Sequence, residues 1–421
     1  AGGEFNFKNL SQGEYRIKVS FIGYKSVIDT VQLADNVYME YTLERKAVMG
    51  DEVIVTAVRA SEKDPVAFST ISDEEIEQKD YGQDIPYLLS LAPSLVSTSD
   101  AGNGIGYTGL RIRGTDANRI NVTVNGIPLN DAESHGVWWV NMPDFASSVE
   151  NIQIQRGVGT STNGAAAFGA SINFQTFDLK NEPYAEINTG YGSFHSMRNS
   201  VNVGSGLIHD QFSFDMRLSE ISSDGYIDRA STDLRSYYLS GAWYTPKSIL
   251  RFTTFSGKEK TYQAWDGVPE EILSKDRRYN GIGRYIDAEG EERYYDNETD
   301  NYDQTHYQLH YSRELTSWLN VNSALHYTRG IGYYEQYKDE ADLVDYDLPE
   351  ISFGDTTITQ TDLVRRKWLD NHFYGAVFSM NASVRNLNII LGGGWNRYDG
   401  DHYGTLIWAR YAGALEINDR W

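Results

Sequence analysis

The chain has 421 residues, a formal net charge of -22, 13% aromatic residues including 30 Tyr, and no Cys. That acidity excludes nucleic acid as a partner, because binding it depends on clustered Lys and Arg neutralising phosphates. Every apolar run falls well short of the roughly 18 to 20 residues a membrane-spanning helix needs, and mean hydropathy is -0.50, so any crossing of a membrane must use strands.

The chain opens on Ala1-Gly2-Gly3-Glu4 without Met and in mid-pattern, which predicts that something upstream is absent. Residues 1 to 46 read as four short strands, Glu4 to Phe7, Gly13 to Gly23, Val27 to Leu33 and Val37 to Leu43, parted by Gly, Ser, Asn and Asp turn residues. Residues 47 to 65 hold the β-prone run DEVIVTAVRA and end at the breaker Asp64-Pro65, as a linker with a strand in it. Ser72-Asp73-Glu74-Glu75 has the form of a capping box, and Pro93 stops the apolar pattern of Tyr87 to Ala92, so one or two short helices are predicted there.

The segment from Arg111 to Thr176 is the most informative. It reads RIRGTDANRINVTVNGIPLND and then VENIQIQRGVGTSTNGAAAFGASINFQT. Arg113-Gly114 and Arg156-Gly157 each adjoin a run of alternating apolar residues, Ile120, Val122 and Val124 for one and Val149, Ile152 and Ile154 for the other, so each places a cation at the edge of a small sheet.

From Tyr184 onward long amphipathic strands repeat. Phe212, Phe214, Met216 and Leu218 alternate with Ser213, Asp215, Arg217 and Ser219, and Leu319, Val321, Leu325 and Tyr327 share a strand with Asn320, Asn322, His326 and Thr328. About nine such strands approach or exceed the roughly 9 to 11 residues that cross a bilayer at a tilt. Short turns such as Thr245 to Ser248 alternate with long acidic connections, the two longest from about Thr261 to Asn301 and from about Tyr334 to Arg365, an asymmetry expected of an outer-membrane barrel rather than of a soluble sandwich. An open sheet of this size would leave two long unpaired edges, which predicts that the barrel continues past Trp421.

Several local patterns read as structure, not chemistry. Gly102, Gly104 and Gly106, like Gly157 and Gly159, fit neither a Rossmann unit nor a P-loop and are expected to be turns. His306 and His310 share one strand face about 13 Å apart, too far for one metal without further ligands. The acidic stretches Asp287 to Asp300 and Asp339 to Glu350 offer oxygens to Ca²⁺ but lack a twelve-residue loop spacing, so solvated faces are preferred and no cofactor is expected. No catalytic constellation stands out, which weighs against an enzyme.

Taken in order, DEVIVTA, RIRG, VTVNGIPLND and the second Arg-Gly with its glycine-rich return resemble the TonB-dependent outer-membrane receptors, and the resemblance covers essentially the whole chain. GEFNFKNLSQGEYRIKVSFIGYK is similar to the second half of the carboxypeptidase-regulatory-like β-sandwich that precedes many importers of the Bacteroidetes type. The resemblance implies a mainly β fold: a transmembrane antiparallel β-barrel, 22-stranded in the family with about nine strands here, enclosing an α+β plug. The implied division is 1–46 end of the β-sandwich, 47–65 TonB box and linker, 66–178 plug, and 179–421 first part of the barrel.

It also implies site residues. Asp51, Glu52, Val53, Ile54, Val55, Thr56 and Ala57 would add as a strand to periplasmic TonB, a main-chain mode that requires β propensity more than particular side chains. Arg113 and Arg156 look like plug cations that pair with barrel glutamates in the strands expected past Trp421 and gate the plug; a solvated turn arginine is the bland alternative for each. Cargo contacts are expected from outward plug loops carrying Asn103, Tyr107, His135, Trp138 and Trp139, although Trp138-Trp139 could equally pack the plug against the wall. The implied activity is energised import of a ferric siderophore or haem, an iron complex carried as cargo, with TonB-ExbB-ExbD and outer-membrane lipid as partners and the N-terminal extension in the periplasm. Cobalamin, or a glycan or peptide taken up with a surface lipoprotein, is the rival cargo; a surface adhesin or structural β-protein is the rival class.

Overall fold

The computed structural model describes residues 5–8, 10–19, 27–43, 59–60, 66–158, 167–176, 179–384, 387–411 and 420. Near the start, β1 (Gly13–Val19) and β2 (Val27–Leu33) form an antiparallel hairpin with Gly13 opposite Leu33. The strands expected at Glu4 to Phe7 and Val37 to Leu43 are not formed over the described residues there. Phe5 and Tyr41 instead stack at 6.5 Å, so these segments associate through rings and not through a ladder.

The plug is a five-stranded sheet in the order β3 (Ala67–Ser72), β8 (Asn151–Arg156), β9 (Ala170–Gln175), β6 (Ile120–Val124), β7 (Ile127–Pro128). Only β6 and β9 run parallel. The hairpin of β4 (Leu95–Ser99) and β5 (Thr108–Ile112) stands apart from it. Helix α1 (Asp73–Glu77) begins at the expected capping box: the Glu75 N–H donates to Ser72 Oγ at 3.4 Å, and the Ser72 N–H donates to Glu75 Oε2 at 3.2 Å. Asp84 occupies the N-cap position of α2 (Ile85–Leu88) without a side-chain capping bond, and Pro86 lies in the first turn where its missing N–H is harmless. Ile112, Val124, Ile152, Ile172 and Phe174 form the plug core, and Tyr238 and Phe255 from the surrounding wall join it.

That wall is a nine-stranded antiparallel sheet in strict sequence order: β10 (Tyr184–Tyr191), β11 (Met197–Gly204), β12 (Phe212–Ser223), β13 (Thr232–Tyr244), β14 (Ser248–Tyr262), β17 (Thr299–Thr316), β18 (Leu319–Asp342), β21 (Gln360–Val384) and β22 (Leu387–Ala409). Connections at one end are short, 245–247 and 317–318 among them. At the other end, 263–298 carries α3 (Glu270–Leu273) and the hairpin β15 (Arg284–Ile286) with β16 (Glu292–Tyr294), and 343–359 carries the hairpin β19 (Ile351–Phe353) with β20 (Thr356–Ile358). Both long connections are shorter than expected. The ladder persists past the apolar stretch, pairing Gln336 with Arg365 and Asp342 with Gln360, because polar side chains do not end strand pairing once the partner backbone is held in register.

The sheet is inside out by the standard of a soluble protein. Ser213, Arg217, Thr253, Gln308, His310, Ser312 and Asn322 are buried on the face that holds the plug, while Phe214, Leu218, Phe252, Leu309, Leu325 and Phe378 are exposed on the other. Apolar-out and polar-in alternation is what a lipid-facing barrel wall requires.

Candidate plug gate and cargo-facing site

The plug is held to the wall by a buried charge network. Asp144 follows Pro143 in a left-handed turn, φ 55°, that aims its carboxylate at the wall. Its Oδ1 meets Arg198 Nη2 of β11 at 2.6 Å and its Oδ2 meets Arg217 Nη1 of β12 at 3.3 Å. Arg198 also pairs with Asp80 Oδ2 at 2.9 Å, and Arg217 Nε donates to Ser148 Oγ at 2.7 Å. Burial raises the Asp80 carboxyl, and the Arg198 charge offsets part of that. With Asp144 fully buried and Arg217 nearly so, each charge depends on its partners for the solvation it has lost. All three ion pairs cross from plug to barrel with the cation on the barrel.

The expected polarity was the reverse. Arg113 lies in a left-handed turn, φ 52°, and its Nη1 donates to the Arg156 carbonyl at 3.3 Å, so the structure brings these two residues together. Neither ion-pairs with a barrel carboxylate among the described residues. Asp80 and Asp144 were missed because a lone Asp carries no signal in a chain with 59 acidic residues.

Asp51 to Ala57 lie outside the described residues, but the segment just after them is anchored. Ala60 exchanges two hydrogen bonds with the Gln153 side chain on β8, its N–H donating to Oε1 at 2.8 Å and its carbonyl accepting from Nε2 at 3.0 Å. Arg59 Nη1 donates to Gln175 Oε1 on β9 at 2.7 Å. Residues 59 and 60 are thus bonded to two neighbouring plug strands, β8 and β9.

At the end with the long connections, Tyr107 is the hub. Its ring meets Trp138 of the plug at 6.0 Å and Trp265 of the wall at 5.6 Å, both edge-on, and Trp265 meets Tyr334 at 5.7 Å. The Tyr107 hydroxyl donates to Asp300, and burial with the nearby Glu259 and Asp300 carboxylates raises its pKa well above the usual phenol range. Just beneath, Asp84 Oδ2 accepts from Thr108 Oγ1 at 2.9 Å, and burial pushes the Asp84 carboxyl up to about 8. Asp100 is likewise pushed up by burial to about 6.

The other expected cargo residues divide. Trp138 is half exposed, whereas Trp139 is 3% exposed and meets Phe174 edge-on at 6.0 Å, so Trp139 packs the plug core. Neighbouring side chains in an irregular turn need not share a face, which the sequence could not resolve. His135 sits exposed in a left-handed turn, φ 59°. Asn103 donates to Ser223 Oγ at 2.8 Å, a tie to the wall. Glu133 reaches His402 of β22 at 3.0 Å. His306 is stacked on Phe255 at 4.5 Å and bonded to Thr328, which makes it packing. Asp287 is used within its own turn by the N–H groups of Glu289 and Glu291 and by Arg293.

Comparison with known proteins agrees with this geometry. The TonB-dependent receptor plug domain family matches residues 60–171. The chain is 28% identical over 192 residues to the vitamin B12 transporter BtuB of Vibrio vulnificus, covering 45% of this chain and 30% of that one. It is 27% identical over 195 residues to the probable TonB-dependent siderophore receptor PirA of Acinetobacter baumannii, covering 42% of this chain and 26% of that one. Among solved structures, the siderophore receptor PiuA of Acinetobacter baumannii superposes with TM-score 0.59 at 15% identity over 85% of this chain and 49% of that one. The ferric preacinetobactin receptor BauA of the same organism gives TM-score 0.60 at 13% identity over 85% and 52%, a likeness of fold alone. The match thus spans about half the length of these solved receptors and less than a third of the curated relatives. Residues 60–171 match the TonB-dependent receptor plug domain, and the chain is similar in sequence and fold to TonB-dependent receptors, with that plug held against a nine-stranded wall.

Proposed function

We propose that this chain works in the energised import of a scarce nutrient across the bacterial outer membrane, with a ferric siderophore or haem as cargo. The observation that carries the reading is the anchoring of Arg59 and Ala60 on Gln175 and Gln153: the segment behind Asp51 to Ala57 is bonded to the plug sheet, so tension there loads the plug first. In this reading residues 51–57 recruit TonB of the TonB-ExbB-ExbD complex, and the plug yields along the Asp80/Asp144 to Arg198/Arg217 bridges. Arg113 and Arg156 serve as further gating cations, and residues 1–46 lie in the periplasm ahead of the linker 47–65, the plug 66–178 and the barrel 179–421. Tyr107 and Trp138, with Asn103 and His135 on neighbouring loops, meet the cargo. Lipid covers the apolar outer face.

Cobalamin is the second reading, favoured by the likeness to a vitamin B12 transporter. Cells carrying the receptor with residues 51–57 deleted decide the class. Uptake of radiolabelled ferric complexes is expected to fall to background while surface binding persists; unchanged uptake would discard the energised-import reading and leave an adhesin. Labelled cobalamin carried by the intact receptor, with ferric complexes refused, would assign the second cargo.

A further inference from the structure

The outer face of the wall is unevenly filled toward the end with the short connections. One row of the ladder runs from Phe214 on β12 through Gly241 on β13 and Phe252 on β14 to Leu309 on β17, and alternation puts all four positions on the outward side. Glycine leaves a gap in that row. A Cβ on Gly241 would lie 3.2 Å from the Phe214 ring, which leans over the space where a side chain would stand. Around the gap lies an almost wholly apolar groove of about 830 Å³, walled by Phe214, Met216, Leu239, Trp243, Phe252 and Leu309.

Rings and cations border the groove at the short-connection end. In the next outward row Trp243 pairs with Leu250 and Leu250 with Tyr311, and the outward position beyond Tyr311 is Arg313, opposite Ser248. Arg313 is exposed, and its Nη1 donates to the Tyr311 hydroxyl at 3.4 Å. Lys247, in the turn between β13 and β14, is exposed as well, and neither cation forms an ion pair among the described residues. Asp210 in the 205–211 turn and Glu314 on β17, acids of adjoining segments, have interactions of their own. Toward the other end of the same face charge is neutralised, since Arg235 pairs with Glu220 at 3.2 Å and with Asp233 at 3.6 Å. Cations flanked by interfacial rings and free of a carboxylate are open to a phosphate.

We infer that the Gly241 groove seats one acyl chain of an anionic glycerophospholipid from the periplasmic leaflet, whose phosphate is held by Arg313 and Lys247. The inference goes beyond import and rests only on the reading of the outer face as lipid-facing, with the short connections on the periplasmic side. An acyl chain suits the groove because it brings no polar group that would go unsatisfied there. A negative headgroup suits its border because each Lys or Arg near the membrane surface raises affinity for anionic lipid about fivefold. A lipid that meets both features at once stays longer than its neighbours in the surrounding layer.

The test is native mass spectrometry of the full chain in non-ionic detergent with equal amounts of three probes that share the same acyl chains: phosphatidylglycerol, phosphatidylethanolamine and diacylglycerol. The wild type is expected to retain a single phosphatidylglycerol, at least about fivefold in preference to either other probe. The double variant Arg313→Gln, Lys247→Gln is expected to lose that preference, whereas Arg313→Lys keeps it and guards against a folding defect. Gly241→Leu fills the groove and is expected to release the lipid with both cations in place. Equal retention of the three probes by the wild type, or an unchanged preference in the double variant, overturns the inference. A lipid-free dimer overturns it as well and assigns this face to a second copy of the chain. None of these substitutions touches residues 51–57, the plug or its cargo-facing loops, so the import reading stands or falls separately.

Discussion

Asp144 ties two barrel guanidiniums to the plug. Asp144→Asn keeps the shape and removes the charge, leaving Arg217 buried without a carboxylate. A loss of about 3–5 kcal/mol in plug attachment is expected. Planar-bilayer conductance in urea reads it: the variant should show open-channel events at lower urea than the wild type, and identical traces would remove the bridges from the gate. Asp84 gives a pH signature. Its folded pKa of about 8 stands above its ordinary 3.8, so between those values the folded plug holds a proton that the unfolded chain has released. The stability this contributes is full below the ordinary carboxylate range and is lost as pH rises through about 8. Hydrogen exchange over 84–112 should therefore quicken as pH approaches 8, after correction for intrinsic exchange, and Asp84→Asn should flatten that trend. A parallel trend in both proteins would place its source elsewhere.

Among the elements, β14 sets how closely the plug approaches the wall. A Cβ on Gly257 would lie 2.6 Å from both the Asn141 carbonyl carbon and Pro143 Cδ, so the plug turn passes directly over the strand backbone. Pro143 immediately precedes Asp144, so this close approach lies beside the buried carboxylate. Gly257→Ala is expected to cost about 1–3 kcal/mol and to shift the plug outward. Protease accessibility of the 141–148 turn should rise without loss of barrel β-structure by circular dichroism; unchanged protection would show that the turn has room to spare. At this scale the capping box at Ser72, the stop before Pro93 and the alternating residues of β6 and β8 were all legible, since each depends on neighbours a few positions away. The strand ends were not: β18 and β21 lengthen each other through the pairing of Gln336 with Arg365, and neither run shows this alone.

On the scale of the whole molecule, the apolar outer face and the polar, plug-filled inner face make the sheet a membrane wall. Leu309 sits mid-strand on β17 between Phe252 and Leu325, all three on the outer face. Leu309→Arg should raise the free energy of insertion by about 2–4 kcal/mol near the bilayer midplane. Folding titrations into phospholipid vesicles measure it, and a neutral result would falsify the lipid-facing assignment.

The sequence by itself determined the alternation of about nine strands and the short and long connections, because these follow from side-chain period and turn chemistry along a few residues, while the order of plug and barrel came from the resemblance. Tertiary structure alone decided which charges meet. Asp144 finds Arg198 and Arg217, Ala60 finds Gln153, and Trp138 faces out while Trp139 faces in. Those choices depend on ladder register and on how closely the plug fits the wall. Both are properties of the assembled sheet, in which residues far apart in the chain share one buried space.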